Sequence, residues 1–90
     1  MANIIWMPSA KESYAEILEE LQVDPALRLD DKVEALIENL RSFTNFCPPA
    51  KKIPGIRKCI INQNFSLIYS NDQNTVYLIA FLYNKSSLNL

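Results

Sequence analysis

Histidine is absent from the 90 residues, and glycine occurs once, at Gly55. The first absence removes Ser-His and Cys-His nucleophile pairs, a histidine general base and most zinc sites. The second excludes phosphate loops and dinucleotide fingerprints, which need several glycines where backbone meets phosphate. Apolar runs last only a few residues, far short of the roughly 20 that a membrane span requires. Residues 1–22 carry charge from Lys11 onward and do not read as a signal peptide, so a cytoplasmic protein without a membrane is expected. Cys47 and Cys59 share no repeated spacing. Without a secretory signal they are expected to be reduced, semi-buried packing residues rather than a bridge. No metal or cofactor is called for, and any chemistry must run on Lys, Arg, Tyr and carboxylates.

What remains is ordinary for one globular domain spanning residues 1–90: 49% apolar and 21% charged residues. A chain this short has room for one modest core. The net charge of −1 conceals a division. Through Phe46 four bases (Lys11, Arg28, Lys32, Arg41) stand against nine acids, a balance of −5. From Cys47 onward five bases (Lys51, Lys52, Arg57, Lys58, Lys85) stand against Asp72 alone, a balance of +4. Such asymmetry fits a basic face that meets nucleic acid or an acidic partner. It fits equally well a pair of amphipathic helices that collect glutamate for solubility.

The pattern along the chain sorts into six elements. Residues 3–7 form a short apolar run stopped by Pro8, the first strand. Ser9 followed by Glu12 has the spacing of a capping box. Behind it Tyr14, Ile17, Leu18 and Leu21 make one stripe of a first helix over about residues 10–22. Asp24-Pro25 offers a cap and a first-turn proline for a second helix, from about residue 25 to 42 or 43. Its stripe is Ala26, Leu29, Val33, Leu36, Ile37, Leu40 and Phe43. The short link favours a helical hairpin, and Cys47-Pro48-Pro49 ends helix formation. After the basic connector 51–55 the period becomes that of a strand. Residues 56–61, 65–70 and 75–83 are the second, third and fourth strands, joined by turns at 62–64 and 71–74. On the fourth, Tyr77, Ile79, Phe81 and Tyr83 share a side by simple alternation. Trp6 reads as core. The expected class is therefore α+β: two layers in the order β-α-α-β-β-β, a helical hairpin packed on one face of a mainly antiparallel sheet.

Several segments resemble a known superfamily. Ile5-Trp6 followed by Ala10 and a helical hairpin is similar to the opening of RelE- and ParE-like toxins of bacterial type II toxin–antitoxin systems, the plasmid-stabilisation type. Arg57-Lys58-Cys59-Ile60-Ile61 and Asn64-Phe65-Ser66-Leu67-Ile68-Tyr69 resemble that family's second and third strands, and Tyr83-Asn84-Lys85 its closing segment. The resemblance covers nearly the whole chain in element order, through short motifs. It implies a RelE/ParE-like fold and a cognate antitoxin whose tail orders on binding. It also implies a toxin–antitoxin hetero-oligomer or a homodimer, and a target that is either DNA gyrase (ParE-like) or messenger RNA on the ribosome (RelE-like).

Metal-free RNA cleavage needs a base for the 2′-hydroxyl, cations for the charge growing on phosphorus, and an acid for the leaving oxygen. By resemblance the catalytic candidates are Arg57 as a bidentate phosphate clamp, Lys85 at the place of the family's terminal arginine, and Tyr83 as a late acid. Lys51, Lys52 and Lys58 are candidates for binding the target or its phosphates. Each has a plainer reading. Arg57 and Lys58 also suit a strand edge protected from aggregation, Lys51 and Lys52 a solvated loop, and Tyr83 packing. Ser66 stands where nuclease-type relatives carry arginine, lysine at 85 cannot supply the guanidinium fork, residues 86–90 add no acid or base, and the pI is about 5.3. The expectation is a toxin that acts by binding, with an endoribonuclease and a non-toxic binding scaffold as alternatives.

Overall fold

The stripe on the helices and the alternation along the strands close on one core. The computed structural model describes residues 1–85, in the order β1 (Asn3–Trp6), α1 (Pro8–Glu20), α2 (Val23–Ser42), β2 (Arg57–Ile60), β3 (Phe65–Asp72) and β4 (Thr75–Tyr83). Both helices cover one face of a four-stranded sheet ordered β1-β4-β3-β2. The sheet is mixed: β1 runs parallel to β4, whereas β2–β3 and β3–β4 are antiparallel. The α+β class and the element order are as expected. Residues 86–90 lie outside the described residues, and with them the reading that they add no acid or base.

Ala10 and Ile17 of α1 and Leu29, Val33, Ile37 and Leu40 of α2 are buried against Phe65, Leu67, Tyr69, Val76, Leu78 and Phe81. Trp6, Tyr14 and Phe81 form an aromatic cluster with ring centroids 4.7–5.7 Å apart. Such pairs add to the gain from burial alone. Asn62 turns the chain as its residue type foretells, its Oδ1 accepting the N–H groups of Asn64 at 2.8 Å and Phe65 at 2.9 Å. The connector before β2 turns at Pro54-Gly55, where Gly55 has φ +81° and the Ile56 N–H meets the Ile53 carbonyl at 3.3 Å. Proline followed by a left-handed glycine is the requirement of a type II turn.

Four expectations are corrected. Cys47 and Cys59 are joined in a disulfide (S–S 2.07 Å, Cα–Cα 5.3 Å), not left as separate thiols. The connector folds back along β2, with a bridge between Pro49 and Arg57, and so brings together two cysteines 12 residues apart that no spacing rule pairs. Ser9 is not a cap and the capping box does not form. α1 starts at Pro8, Met7 occupies the cap position, and Ser9 Oγ donates to the Ile79 carbonyl at 2.5 Å. Likewise α2 starts at Val23 behind Gln22, with Asp24 in its first turn rather than at its cap. Finally, simple alternation fails on β4.

A bulge causes that last failure. Ile68 pairs with Ala80 and Tyr69 with Leu78, so Ile79 is skipped. A skipped residue exchanges the faces on either side of it. Val76, Leu78, Phe81 and Tyr83 consequently point to the helices, whereas Tyr77 is on the opposite face. β1 has ended at Trp6, and α1 takes over as the neighbour of β4. Ser9 accepts the role at Ile79, and Ser13 Oγ receives the Phe81 N–H at 2.9 Å. Two serines thus satisfy backbone groups that the ladder leaves open.

Candidate functional site

The pleat separates neighbours on β2. Arg57 is opposite Tyr69 on the helix side, while Lys58 is opposite Ile68 on the side that no described helix covers. Arg57 is half-buried, and one guanidinium nitrogen donates to the Cys47 carbonyl at 2.7 Å. Lys51 and Lys52 are exposed on the connector that folds along the same end of β2. One end of this strand edge therefore collects Lys51, Lys52, Arg57 and Lys58.

Tyr83 and Lys85 are elsewhere. Tyr83 pairs with Phe65, which lies four residues along β3 from the Tyr69 that faces Arg57. That is roughly 13 Å at a rise of about 3.3 Å per residue, besides the intervening strand. Tyr83 is 43% exposed on the helix side, where its ring packs on Phe65 (centroids 5.0 Å) and its hydroxyl donates to Glu20. That carboxylate acceptor raises the phenol above its ordinary pKa, with a smaller contribution from burial. Lys85 follows Asn84, whose N–H bonds to the Asn64 carbonyl at 2.9 Å. The candidates are thus divided between the two ends of β2 and between the two faces of the sheet.

Among the described residues no helix covers the opposite face, which is mostly apolar. Ile5, Ile60, Ile68, Tyr77, Ala80 and Leu82 lie on it, with Ile60 74% exposed. Ser66, near the start of β3 on this face, is fully buried and donates its hydroxyl to the Asn84 side chain. Lys58 is the cation that β2 contributes there. The arrangement suits contact with a protein surface. Among the described residues, the cations gathered at the Arg57 end of β2 stand apart from Tyr83, the candidate proton donor.

Two features had no sequence signal. Beneath the connector, Tyr69 is fully buried, and its hydroxyl donates to the Thr44 carbonyl at 2.8 Å while accepting the Cys47 N–H at 3.3 Å. Burial raises the Tyr69 pKa, partly offset by the Cys47 N–H and the Arg57 charge. On the other side of the molecule, a groove of about 630 Å³ is lined by Trp6 and Tyr14, and by Asp30, Asp31, Glu34 and Glu38 of α2. Tyr14 donates to Asp30 at 2.6 Å. Burial, reinforced by that bond, pushes the Tyr14 pKa well up. The walls come from three separate elements, so no local pattern announces the groove. Arg41 also lines it and pairs with Glu38 at 3.4 Å, so the remaining carboxylates leave the groove net negative, which favours a cationic visitor over phosphate.

Residues 4–87 match the sequence family described as the ParE toxin of the type II toxin–antitoxin system parDE. The chain belongs to the ParE toxin family. Solved structures agree with the fold of this ParE-family chain. A chain from the chromosomal ParDE system of Pseudomonas aeruginosa superposes with a TM-score of 0.73 at 15% identity, covering 92% of this chain and 96% of its own. The YoeB/ParE toxin from Agrobacterium tumefaciens gives 0.67 at 18%, covering 91% and 98%. A chain of the YoeB-YefM complex from Staphylococcus aureus gives 0.65 at 20%, covering 93% and 98%. A search of curated protein sequences returns no match.

Proposed function

We propose that this ParE-family toxin acts by binding a macromolecule, DNA gyrase, rather than by cutting RNA, and that a cognate antitoxin neutralises it in the cytoplasm. The observation that carries the reading is the dispersal of the catalytic candidates. Arg57 is engaged with the Cys47 carbonyl and Tyr83 with Glu20, at opposite ends of β2. Lys85 lies with the Tyr83 end. A phosphate held by Arg57 would be beyond reach of either as a proton donor. Lys51, Lys52 and Lys58, which share the Arg57 end, are the target-binding residues of this proposal. The apolar face beside them, with Ile5 and Ile60 exposed, supplies contact area of the kind protein interfaces use at their centres.

The antitoxin follows from membership of a toxin–antitoxin family, and the Staphylococcus aureus neighbour was solved as a complex of YoeB with YefM. Among the described residues no helix is long and apolar enough to cross a membrane.

Controlled expression with and without the neighbouring reading frame tests both parts. Growth arrest should appear with the chain alone and vanish with the frame. Purified chain should then inhibit supercoiling by gyrase, and charge reversal at Lys51, Lys52 and Lys58 together should weaken that inhibition. Discrete cuts in cellular transcripts that disappear in Arg57→Ala would overturn the proposal in favour of a ribosome-dependent endoribonuclease. Tight antitoxin binding without growth arrest would leave a non-toxic binding scaffold.

A further inference from the structure

The basic connector has one covalent fastening. Residues 48–56 carry Lys51 and Lys52 and contain no regular element. Hydrogen bonds from the Lys58 N–H to the Pro48 carbonyl (3.1 Å) and from the Ala50 N–H to the Ile56 carbonyl (2.8 Å) hold them along β2. Cys47, at their start, is clamped through its carbonyl by Arg57 and through its N–H by Tyr69. The disulfide to Cys59 crosses this node and closes the connector into a loop. We infer that the Cys47–Cys59 pair is a thiol–disulfide switch that fixes the basic connector against β2 when oxidised and releases it when reduced. The role of Lys51 and Lys52 in target binding rests on the function proposed above; the switch itself does not.

The two cysteines differ in a way that sets the order of events. Cys59 is 2% exposed within the β2–β3 ladder, whereas Cys47 is 6% exposed on irregular backbone that can open without breaking a strand. Local opening of few-bonded segments costs far less than global unfolding. An external reagent therefore meets Cys47 first. In oxidation by a low-molecular-weight disulfide, RSSR, the Cys47 thiolate attacks one sulfur and releases RS⁻, giving a mixed disulfide. The Cys59 thiolate then attacks the Cys47 sulfur, forms the bridge and releases the second RS⁻. The pair loses two electrons and two protons, and RSSR becomes two RSH. Reduction runs the same steps backwards. Cytosolic bridges in mesophiles are commonly transient and redox-sensing, which fits the cytoplasmic location proposed above.

The test uses the full chain equilibrated in mixtures of reduced and oxidised glutathione, quenched with a thiol-reactive mass tag, and followed by hydrogen exchange. Both forms should interconvert reversibly and keep the same far-ultraviolet circular dichroism. On reduction the Ala50 and Lys58 amides should exchange about tenfold faster or more, as for a segment freed to open locally, while amides of α1 and β4 stay protected. A Cys47→Ser/Cys59→Ser variant should show the reduced pattern in any buffer. Equal protection in both forms, failure of the pair to oxidise, or collapse of the whole fold on reduction would each overturn the switch. Growth arrest by wild type and by the double variant is compared separately. If neither is toxic, the function proposed above fails while the exchange result still decides the switch.

Discussion

Replacing Tyr69 with phenylalanine removes one oxygen and exposes the dependence of the connector on it. The ring keeps its place in the buried core, so little apolar burial is lost. The hydroxyl, however, is the partner of two backbone groups, the Thr44 carbonyl and the Cys47 N–H. A net hydrogen bond contributes about 1 kcal/mol, and a buried group left without a partner costs about 1–3 kcal/mol. Thr44 is half-buried and Cys47 is buried. The sum expected is about 2–3 kcal/mol. At roughly 4–8 °C per kcal/mol for a domain of this size, the melting temperature should fall by about 8–24 °C. Urea unfolding followed by fluorescence measures the same quantity through its midpoint. Tyr77→Phe is the control, since Tyr77 is on the uncovered face and its hydroxyl has no partner among the described residues; a change within about 0.5 kcal/mol is expected there. A Tyr69→Phe variant as stable as the control would refute the idea that this hydroxyl holds the connector.

Other perturbations follow from the same packing. Phe81→Ala empties the centre of the Trp6–Tyr14–Phe81 cluster and should cost about 3–5 kcal/mol in urea unfolding; a loss below 1 kcal/mol would mean the site collapses freely. Reducing the disulfide removes a constraint on a loop of 12 residues' separation. Loop-closure entropy puts the loss at about 3 kcal/mol, readable as a lower melting temperature in dithiothreitol. Tyr14 has a folded-state pKa above its ordinary value near 10, so the native chain holds this proton more tightly than the unfolded chain. Its contribution is complete below about pH 10 and declines as pH rises towards the folded value. Tyr14→Phe should therefore lose stability less steeply above pH 10, and parallel alkaline slopes for the two proteins would contradict this.

What could be read in advance was whatever a local period encodes. Leu29, Val33, Ile37 and Leu40 announce the buried stripe of α2, and Asn62 announces its own turn. Long-range geometry was hidden. The disulfide depends on the connector returning along β2, the bulge at Ile79 on a register between two strands, and the acidic groove on three elements meeting. Ser9 shows why capping rules mislead here. Its hydroxyl is claimed by β4, 70 residues later in the chain, and Pro8 already starts the helix without a side-chain cap. For the candidate site, residue types were legible, but the facing of each side chain required the pleat and the bulge.

Strand β4 is the last element of the described chain and yet lies inside the sheet, parallel to the first strand and antiparallel to the third. A ribosome must therefore release the chain through Tyr83 before the two halves of the sheet can be joined. Until then the β2–β3 hairpin and the helical pair share no common strand, and the most apolar surface of the molecule has no cover. A chain that stops ahead of residue 75 lacks the strand that joins β1 to β3, so a nonsense mutation upstream is expected to leave no folded domain instead of a weaker one.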